Sequence, residues 1–117
     1  MSTIDLTTDN FTDTINNNDI VIVDFWAPWC GPCKNFAPIY ESVSESVDGV
    51  VFAKVNTEDQ QEIGSQFQIR SIPTLMIFRE KVVIFSQPGM MDANGLKDVL
   101  SKAKSLDMDE VRQQIEK

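Results

Sequence analysis

The strongest sign of chemistry in this chain is a pair of cysteines, Cys30 and Cys33, separated by Gly31 and Pro32. The pair falls where a buried strand is predicted to give way to a helix. A thiolate at the amino end of a helix is stabilised by the helix dipole and by unpaired backbone N–H groups, so its pKa falls and it becomes a nucleophile near neutral pH. Cys30 lies nearer those groups, and Cys33, one turn later, can reach its sulfur. The spacing favours a pair that cycles between dithiol and disulfide.

Two other uses of the cysteines stay open on the residues alone. A disulfide across a loop of about four residues adds about 2 kcal/mol in the chain-entropy model, a small gain that a reducing compartment removes. A structural zinc ion usually takes four Cys or His ligands, whereas the chain has two cysteines and no histidine. A zinc or iron–sulfur site would therefore need two copies of the chain. Redox chemistry is the favoured interpretation.

Asp24 is the one charged residue in an apolar run, and it lies six residues before Cys30. A carboxylate between Val23 and Phe25, in a strand covered on both sides, loses hydration. That loss raises its pKa and makes it a candidate proton acceptor. The alternative is an aspartate at a strand end that points to solvent. Lys54, from the next predicted strand, either pairs with Asp24 or extends to the surface.

A third candidate feature is Ile72-Pro73, directly before a predicted strand. An X–Pro bond is the place where a cis peptide costs least, and a proline at the start of a strand removes a ladder donor. On the residues alone, an ordinary trans proline that opens an edge strand is the favoured interpretation.

Length and charge restrict the classes of function. The 117 residues predict one domain, and 42% hydrophobic residues are enough to fill its core without staples. The net charge of −8 predicts binding neither to nucleic acid nor to anionic membranes. The absence of histidine excludes Ser/His/Asp and Cys/His catalysis.

The amino-terminal half indicates where the chain works. Its longest apolar stretch, residues 20–23, is far too short to cross a bilayer. Residues 1–9 lack the positive and apolar regions of a secretory signal. We therefore expect a cytoplasmic protein, and in that compartment two cysteines are more often catalytic, metal-binding or inert than structural.

Alternating strand-like and helix-like segments predict an α/β domain that positions these residues. The predicted strands are residues 3–6, 20–26, 50–55, 74–78 and 81–85. The predicted helices are one capped by Thr8 or Asp9, one after Pro32 with Phe36, Tyr40, Val43 and Val47 on one face, one at 57–67, one carrying Leu96 to Ala103, and one begun at Asp107. The last two strands are joined by Arg79-Glu80 and must be antiparallel, whereas strands separated by helices should be parallel. A mixed sheet results.

Together these residues resemble the thioredoxin family over about residues 3–103. The matching residues are the run Asp24-Phe25-Trp26-Ala27-Pro28-Trp29-Cys30-Gly31-Pro32-Cys33-Lys34, then Pro38, Lys54, Ile72-Pro73-Thr74 and Gly89. A Cys-X-X-Cys pair beside a βαβ pattern is a known signature of this family. The resemblance implies a thioredoxin fold, an α/β domain of residues 1–104 whose five-stranded mixed sheet is flanked by four α-helices. Residues 105–117 run past the usual end of the family and are predicted to form a short helical extension.

The resemblance also implies roles for individual residues. Cys30 would be the attacking nucleophile, and Cys33 the buried thiol that resolves the mixed disulfide. Asp24 would accept the proton of Cys33, with Lys54 as the partner of Asp24. The Ile72–Pro73 bond would be cis and would face the cysteines. The groove for an extended substrate strand would be lined by Trp29, Gly31, Pro32, Ile72, Pro73 and Gly89.

The implied function is that of a thiol–disulfide oxidoreductase that reduces disulfides in client proteins. The chain itself would bind no cofactor and no metal. Its partner would be thioredoxin reductase, a flavoprotein that uses NADPH. One alternative is an oxidant or isomerase of the same fold, which Gly31-Pro32 disfavours because no histidine lies between the cysteines. The other is a redox-inactive binding module that uses the groove around Pro73.

Overall fold

Five strands form one mixed sheet in the computed structural model, which describes residues 3–116. The strands are β1 (Thr3–Asp5), β2 (Ile20–Trp26), β3 (Val51–Asn56), β4 (Thr74–Arg79) and β5 (Val82–Pro88). Their order is β1-β3-β2-β4-β5, with β1, β3 and β2 parallel and with β4 and β5 each antiparallel to the strand before it in this order. The predicted mixed sheet is confirmed. Met1, Ser2 and Lys117, which belong to the predicted segments 1–104 and 105–117, lie outside the described residues.

Four helices flank the sheet, as the resemblance implied, and a fifth follows them, as the residues from Asp107 onward predicted. They are α1 (Phe11–Asn17), α2 (Gly31–Ser46), α3 (Gln61–Gln66), α4 (Ala93–Ser105) and α5 (Met108–Glu116). Apolar residues of α1 and α3 pack on one face of the sheet, and those of α2 and α4 pack on the other. No helix within the described residues has both the length and the apolar character that crossing a membrane requires.

The central strand β2 is covered on both faces, as its β-branched residues predict. Its odd-numbered residues pack on the face that carries α1 and α3, whereas Ile20 and Ile22 pack on the face that carries α2 and α4. Residues 20–25 are each at most 5% exposed. Because side chains alternate along a strand, Asp24 shares the α2 face with Ile22. The alternation thus places one carboxyl group beneath the helix that begins at the cysteines.

The first helix begins later than predicted. α1 starts at Phe11, and the residue before it is Asn10 rather than a capping Thr8 or Asp9. Oδ1 of Asn10 accepts a hydrogen bond from the backbone N–H of Thr7 at 2.7 Å. An asparagine side chain that bonds nearby backbone in this way favours a turn over a helix. Thr8 and Asp9, which were predicted to cap the helix, therefore lie in a turn.

A similar turn delays α3, which begins at Gln61 and not at Thr57 as predicted. Oδ1 of Asn56 accepts a hydrogen bond from the backbone N–H of Glu58 at 3.0 Å. This bond, two residues along the chain, holds the segment as a turn between β3 and α3. The consequence is that Glu58 stands in a loop rather than in a helix, and there it contacts Trp29.

The turn between β4 and β5 is formed by Glu80 and Lys81, not by Arg79 and Glu80 as predicted. Arg79 still pairs with Val82 in the ladder. Glu80 and Lys81 have φ values of 49° and 72°, in the left-handed region that a tight two-residue hairpin requires and that glycine or asparagine usually supplies. The side chain of Glu80 forms an ion pair with Arg112 of α5. This ion pair connects the C-terminal helix α5 to the turn between β4 and β5.

The start of α5 agrees with the sequence. Oδ1 of Asp107 accepts hydrogen bonds from the backbone N–H groups of Asp109, at 3.0 Å, and Glu110, at 3.3 Å. An aspartate in this position satisfies donors that have no partner within the helix. Met108 in the first turn is 5% exposed, whereas Ile115 in the last turn is 62% exposed. The helix is therefore anchored to the domain near its amino end.

Replacing Met108 with alanine is expected to lower the free energy of unfolding by about 2 kcal/mol, because it removes a buried side chain and leaves a cavity. Chemical denaturation of the oxidised protein measures the change. Ile115→Ala is the matched control in the same helix and should change stability by less than about 0.5 kcal/mol. Equal effects of the two substitutions would show that α5 does not pack through Met108.

Candidate redox site

Cys30 and Cys33 form a disulfide at the start of α2, with their Cα atoms 5.3 Å apart. Cys30 is the N-cap residue, and its Sγ accepts a hydrogen bond from the backbone N–H of Cys33 at 3.2 Å. Gly31 and Pro32 fill the first two helical positions, where the fixed φ of proline suits the helix and its missing N–H leaves no donor unpaired. After reduction, the same N–H group and the helix dipole stabilise a thiolate on Cys30.

Both cysteines are buried, Cys33 at 2% exposure and Cys30 at 5%. The residues around Cys30, namely Trp29, Gly31 and Pro32, are all exposed. These three residues form exposed surface next to the disulfide.

A second segment meets the disulfide at the end of the sheet where β2 stops and β4 begins. The Ile72–Pro73 peptide bond is cis, as the resemblance implied. The carbonyl oxygen of Ile72 lies 3.8 Å from Sγ of Cys30. The backbone N–H of Gly89 donates a hydrogen bond to the carbonyl of Pro73 at 2.7 Å, and Gly89 has a φ of 94°, which side chains disfavour. Three predicted groove residues are thus brought together beside Cys30.

Trp29 is the most exposed large apolar residue of those described, at 68%. Its indole N–H donates a hydrogen bond to Oε2 of Glu58 at 2.9 Å. An open groove of about 460 Å³ lies between Trp29 and Ile72 and continues to Arg70. Glu58 and Arg70 were not predicted as site residues. No local pattern marks them, because the contact with Glu58 joins residues 29 positions apart and arises only from the turn ahead of α3.

Asp24 is buried on the same face as α2, at 1% exposure. Its Oδ1 atom has no hydrogen-bond partner. Burial raises the pKa of this carboxyl from an ordinary value of 3.8 to about 7, and the positive charge of Lys54 opposes part of that rise. The solvent-exposed alternative for Asp24 is wrong. A carboxyl that titrates near neutral pH can hold or release a proton under the conditions in which thiols react.

Lys54 stands directly beside Asp24, since the two residues are partners in the register of β2 and β3. Its Nζ lies 4.7 Å from the centre of the Trp26 ring, a distance at which a cation is attracted to the ring face. The half-buried side chain therefore neither forms a simple pair with Asp24 nor reaches freely into solvent. Its charge acts on Asp24 across the strands.

In the described part of the chain, no group of three or more His, Cys, Asp or Glu residues is arranged to hold a metal ion. The site consists of the disulfide, the segment around the cis proline, the exposed indole and the buried carboxyl.

This chain is similar in sequence to known proteins. The thioredoxin family model matches residues 2–102. A putative thioredoxin 2 of Streptomyces coelicolor is 52% identical over 114 residues, which cover 97% of this chain and 85% of that protein. Thioredoxin 1 of a Nostoc species is 38% identical over 99 residues, or 83% of this chain and 92% of that one.

Solved structures of thioredoxins are also similar to this chain. A mutant thioredoxin of Halobacterium salinarum superposes with a TM-score of 0.82 at 29% identity, covering 91% of this chain and 94% of that one. A Plasmodium falciparum thioredoxin gives a TM-score of 0.79 at 34% identity, with 86% and 97% covered. The match to the Streptomyces protein is the longer one in sequence, and it extends beyond residue 102 into the C-terminal segment.

Proposed function

The chain belongs to the thioredoxin family and is a thiol–disulfide oxidoreductase that reduces protein disulfides, and from this premise we propose how its residues divide the work. The observation that carries the proposal is the disulfide at the start of α2, where the backbone N–H of Cys33 bonds to Sγ of Cys30. That geometry supplies a stabilised thiolate on one cysteine and a second sulfur within bonding distance of it.

The reaction begins with the reduced pair. The thiolate of Cys30 attacks one sulfur of a client disulfide, so that a mixed disulfide forms and the other client sulfur leaves as a thiolate. The sulfur of Cys33 then attacks Sγ of Cys30 and displaces the second client sulfur. Two electrons pass from the chain to the client, and the Cys30–Cys33 disulfide is left behind.

Asp24 serves the second step. The thiol of Cys33 lies in the first turn of α2, above the strand face that carries Asp24, and it must lose its proton before it attacks. A buried carboxyl with a pKa of about 7 accepts that proton near neutral pH. Lys54 lowers the free energy of the resulting carboxylate inside the protein, because its positive charge favours the ionised form.

The client binds as an extended segment beside Cys30. The predicted groove contains Ile72 and Pro73, and the backbone N–H of Gly89 donates a hydrogen bond to the carbonyl of Pro73. Backbone groups in such a groove bind an extended strand of varied sequence, and the exposed Trp29 ring adds apolar contact at the rim. Gly31 and Pro32 complete the surface with little bulk, which leaves room for a folded client.

The electron donor that returns the pair to its dithiol form is thioredoxin reductase, a flavoprotein that takes electrons from NADPH. The chain binds no cofactor of its own in this scheme. A reductase of this kind needs a supply of NADPH, and the chain therefore acts in the cytoplasm. Clients are proteins with accessible disulfides, and neither nucleic acid nor membrane takes part.

A coupled assay tests the scheme. Purified chain is mixed with thioredoxin reductase, NADPH and a disulfide-bonded client protein, and the absorbance of NADPH is followed. We expect consumption that rises in proportion to the concentration of the chain and that stops when any one component is left out. Client reduction by chemically reduced chain, without NADPH consumption in the full mixture, would show that another donor is used.

A further inference from the structure

Tyr40 is the only tyrosine of the chain, and it is 1% exposed. It lies in α2, seven residues after Cys33, so the two side chains share one face of the helix. Its hydroxyl donates a hydrogen bond that is shared between two backbone carbonyls, that of Ile22 at 2.9 Å and that of Ala53 at 2.7 Å. The first carbonyl belongs to β2 and the second to β3. One hydroxyl therefore ties the helix that carries the cysteines to both strands beneath it.

The two carbonyls flank the buried carboxyl of the redox site. Ile22 precedes Asp24 by two residues on the same strand face, and Ala53 directly precedes Lys54, which is paired in register with Asp24. The negative charge of Asp24 contributes to a pKa of Tyr40 well above its ordinary value of 10, after the larger effect of burial. The phenol and the carboxyl are thus close enough to interact through a poorly hydrated region.

We propose that Tyr40 is a positioning residue for the proton acceptor, whose hydroxyl neutralises two carbonyl dipoles beside Asp24 and holds α2, with Cys33, over it. Without that hydroxyl, both carbonyls would keep only their partners in the sheet, so more of their negative partial charge would act on the nearby carboxyl, and a polar group would be lost from an apolar region. Both changes disfavour the carboxylate and therefore favour the protonated form of Asp24. The inference rests on the proposed role of Asp24 in the reaction.

The other groups that face Asp24 do not supply this effect. Lys54 on β3 acts in the opposite direction, because its charge favours the carboxylate. Cys33 on α2 is part of the disulfide in the oxidised protein and does not titrate. The residue paired with Asp24 on β4 is Leu75, which is apolar. Tyr40 is thus the residue of α2 that links this helix to the pKa of the Asp24 carboxyl.

The test compares the titration of Asp24 in the oxidised wild type and in the oxidised Tyr40→Phe variant, followed by the carbon-13 signal of its carboxyl group. We expect the midpoint to rise by about 0.5 to 1 pH unit in the variant. Val43→Ala, one turn further along α2 and also buried, is the matched control. It loosens the packing of the helix without removing a hydroxyl and should leave the midpoint unchanged. Equal midpoints in wild type and Tyr40→Phe would overturn the proposal.

A second measurement does not depend on the stability of any Tyr40 variant. Because the chain has one tyrosine, growth with 3-fluorotyrosine labels this position alone. As the pH is varied, the fluorine signal of the oxidised protein should shift with the same midpoint as the titration of Asp24. This pH-dependent shift should vanish in Asp24→Asn. A signal that does not follow pH would also overturn the proposal. Failure of the proposed role of Asp24 is recognised separately, as an unchanged pH profile of client reduction in Asp24→Asn.

Discussion

Replacing Cys30 with serine is expected to lower the rate of client disulfide reduction at least about 1,000-fold. A serine hydroxyl is not ionised near neutral pH even at the start of α2, and oxygen cannot take the place of sulfur in thiol–disulfide exchange. The measurement is the initial rate of reduction of a disulfide-bonded protein, with chemically reduced chain as the electron donor. Residual activity within about tenfold of the wild type would contradict the assignment of Cys30 as the nucleophile.

Cys33→Ser is the matched variant, because it keeps the attacking sulfur and removes the resolving one. This variant should form a stable mixed disulfide with the client, visible by mass spectrometry and released by an added dithiol, and it should not turn over. Cys30→Ser should trap much less client, since the backbone N–H that stabilises a thiolate at the start of α2 points to the sulfur of residue 30 and not to that of Cys33. Equal trapping by both variants would show that either cysteine attacks, and that the order of steps proposed above is wrong.

The parts of the site that the sequence reveals are those in which neighbouring residues act on one another. The spacing of Cys30 and Cys33 across one helical turn, and the placement of that turn directly after β2, depend on a few consecutive residues. The burial of Asp24 follows from the alternation of β2, because a strand with apolar residues on both faces has no exposed side. These features were predictable without knowledge of the fold.

The cis bond before Pro73 illustrates the limit of such reasoning. Local residues favour a trans proline, and the resemblance to a family was needed to expect the cis form that is found. The roles given to the groove residues remain predictions, as does the division into segments 1–104 and 105–117.

Contacts between distant residues account for most of what was missed. The bond from Trp29 to Glu58 depends on where α3 begins, and a side-chain hydrogen bond of Asn56 sets that start. Tyr40 was predicted only as part of an apolar helix face, yet its hydroxyl forms hydrogen bonds with backbone carbonyls of two strands. In each case a polar side chain satisfies backbone groups that the local pattern leaves undecided.

Asp24→Asn is expected to raise the free energy of unfolding at pH 8 by about 2 to 4 kcal/mol. Burial raises the pKa of the carboxyl from 3.8 to about 7, so the folded state binds a proton more tightly than the unfolded state does. Between these two values, ionisation proceeds in the unfolded chain before it does in the folded one, and the stability of the wild type therefore falls as pH rises. A difference of about three pKa units corresponds to about 4 kcal/mol above pH 7, and this is the upper limit of the gain. The attraction between Lys54 and the carboxylate is already contained in this value, because the charge of Lys54 lowers the pKa that burial alone would give.

The pH dependence separates this cause from any general effect of the substitution. At pH 4 the carboxyl is largely protonated in the folded state and partly in the unfolded one, so wild type and variant should differ by less than about 1 kcal/mol. The gap should widen up to pH 7 and stay constant above it. Denaturant unfolding of the oxidised proteins at several pH values measures it, since the disulfide removes the titration of both cysteines. Asp48→Asn, at an exposed aspartate, is the control and should change stability by less than about 0.5 kcal/mol at every pH. A gap for Asp24→Asn that does not vary with pH would mean that the carboxyl has the same pKa in the folded and the unfolded chain, so that burial does not raise it and it is not a proton acceptor near neutral pH.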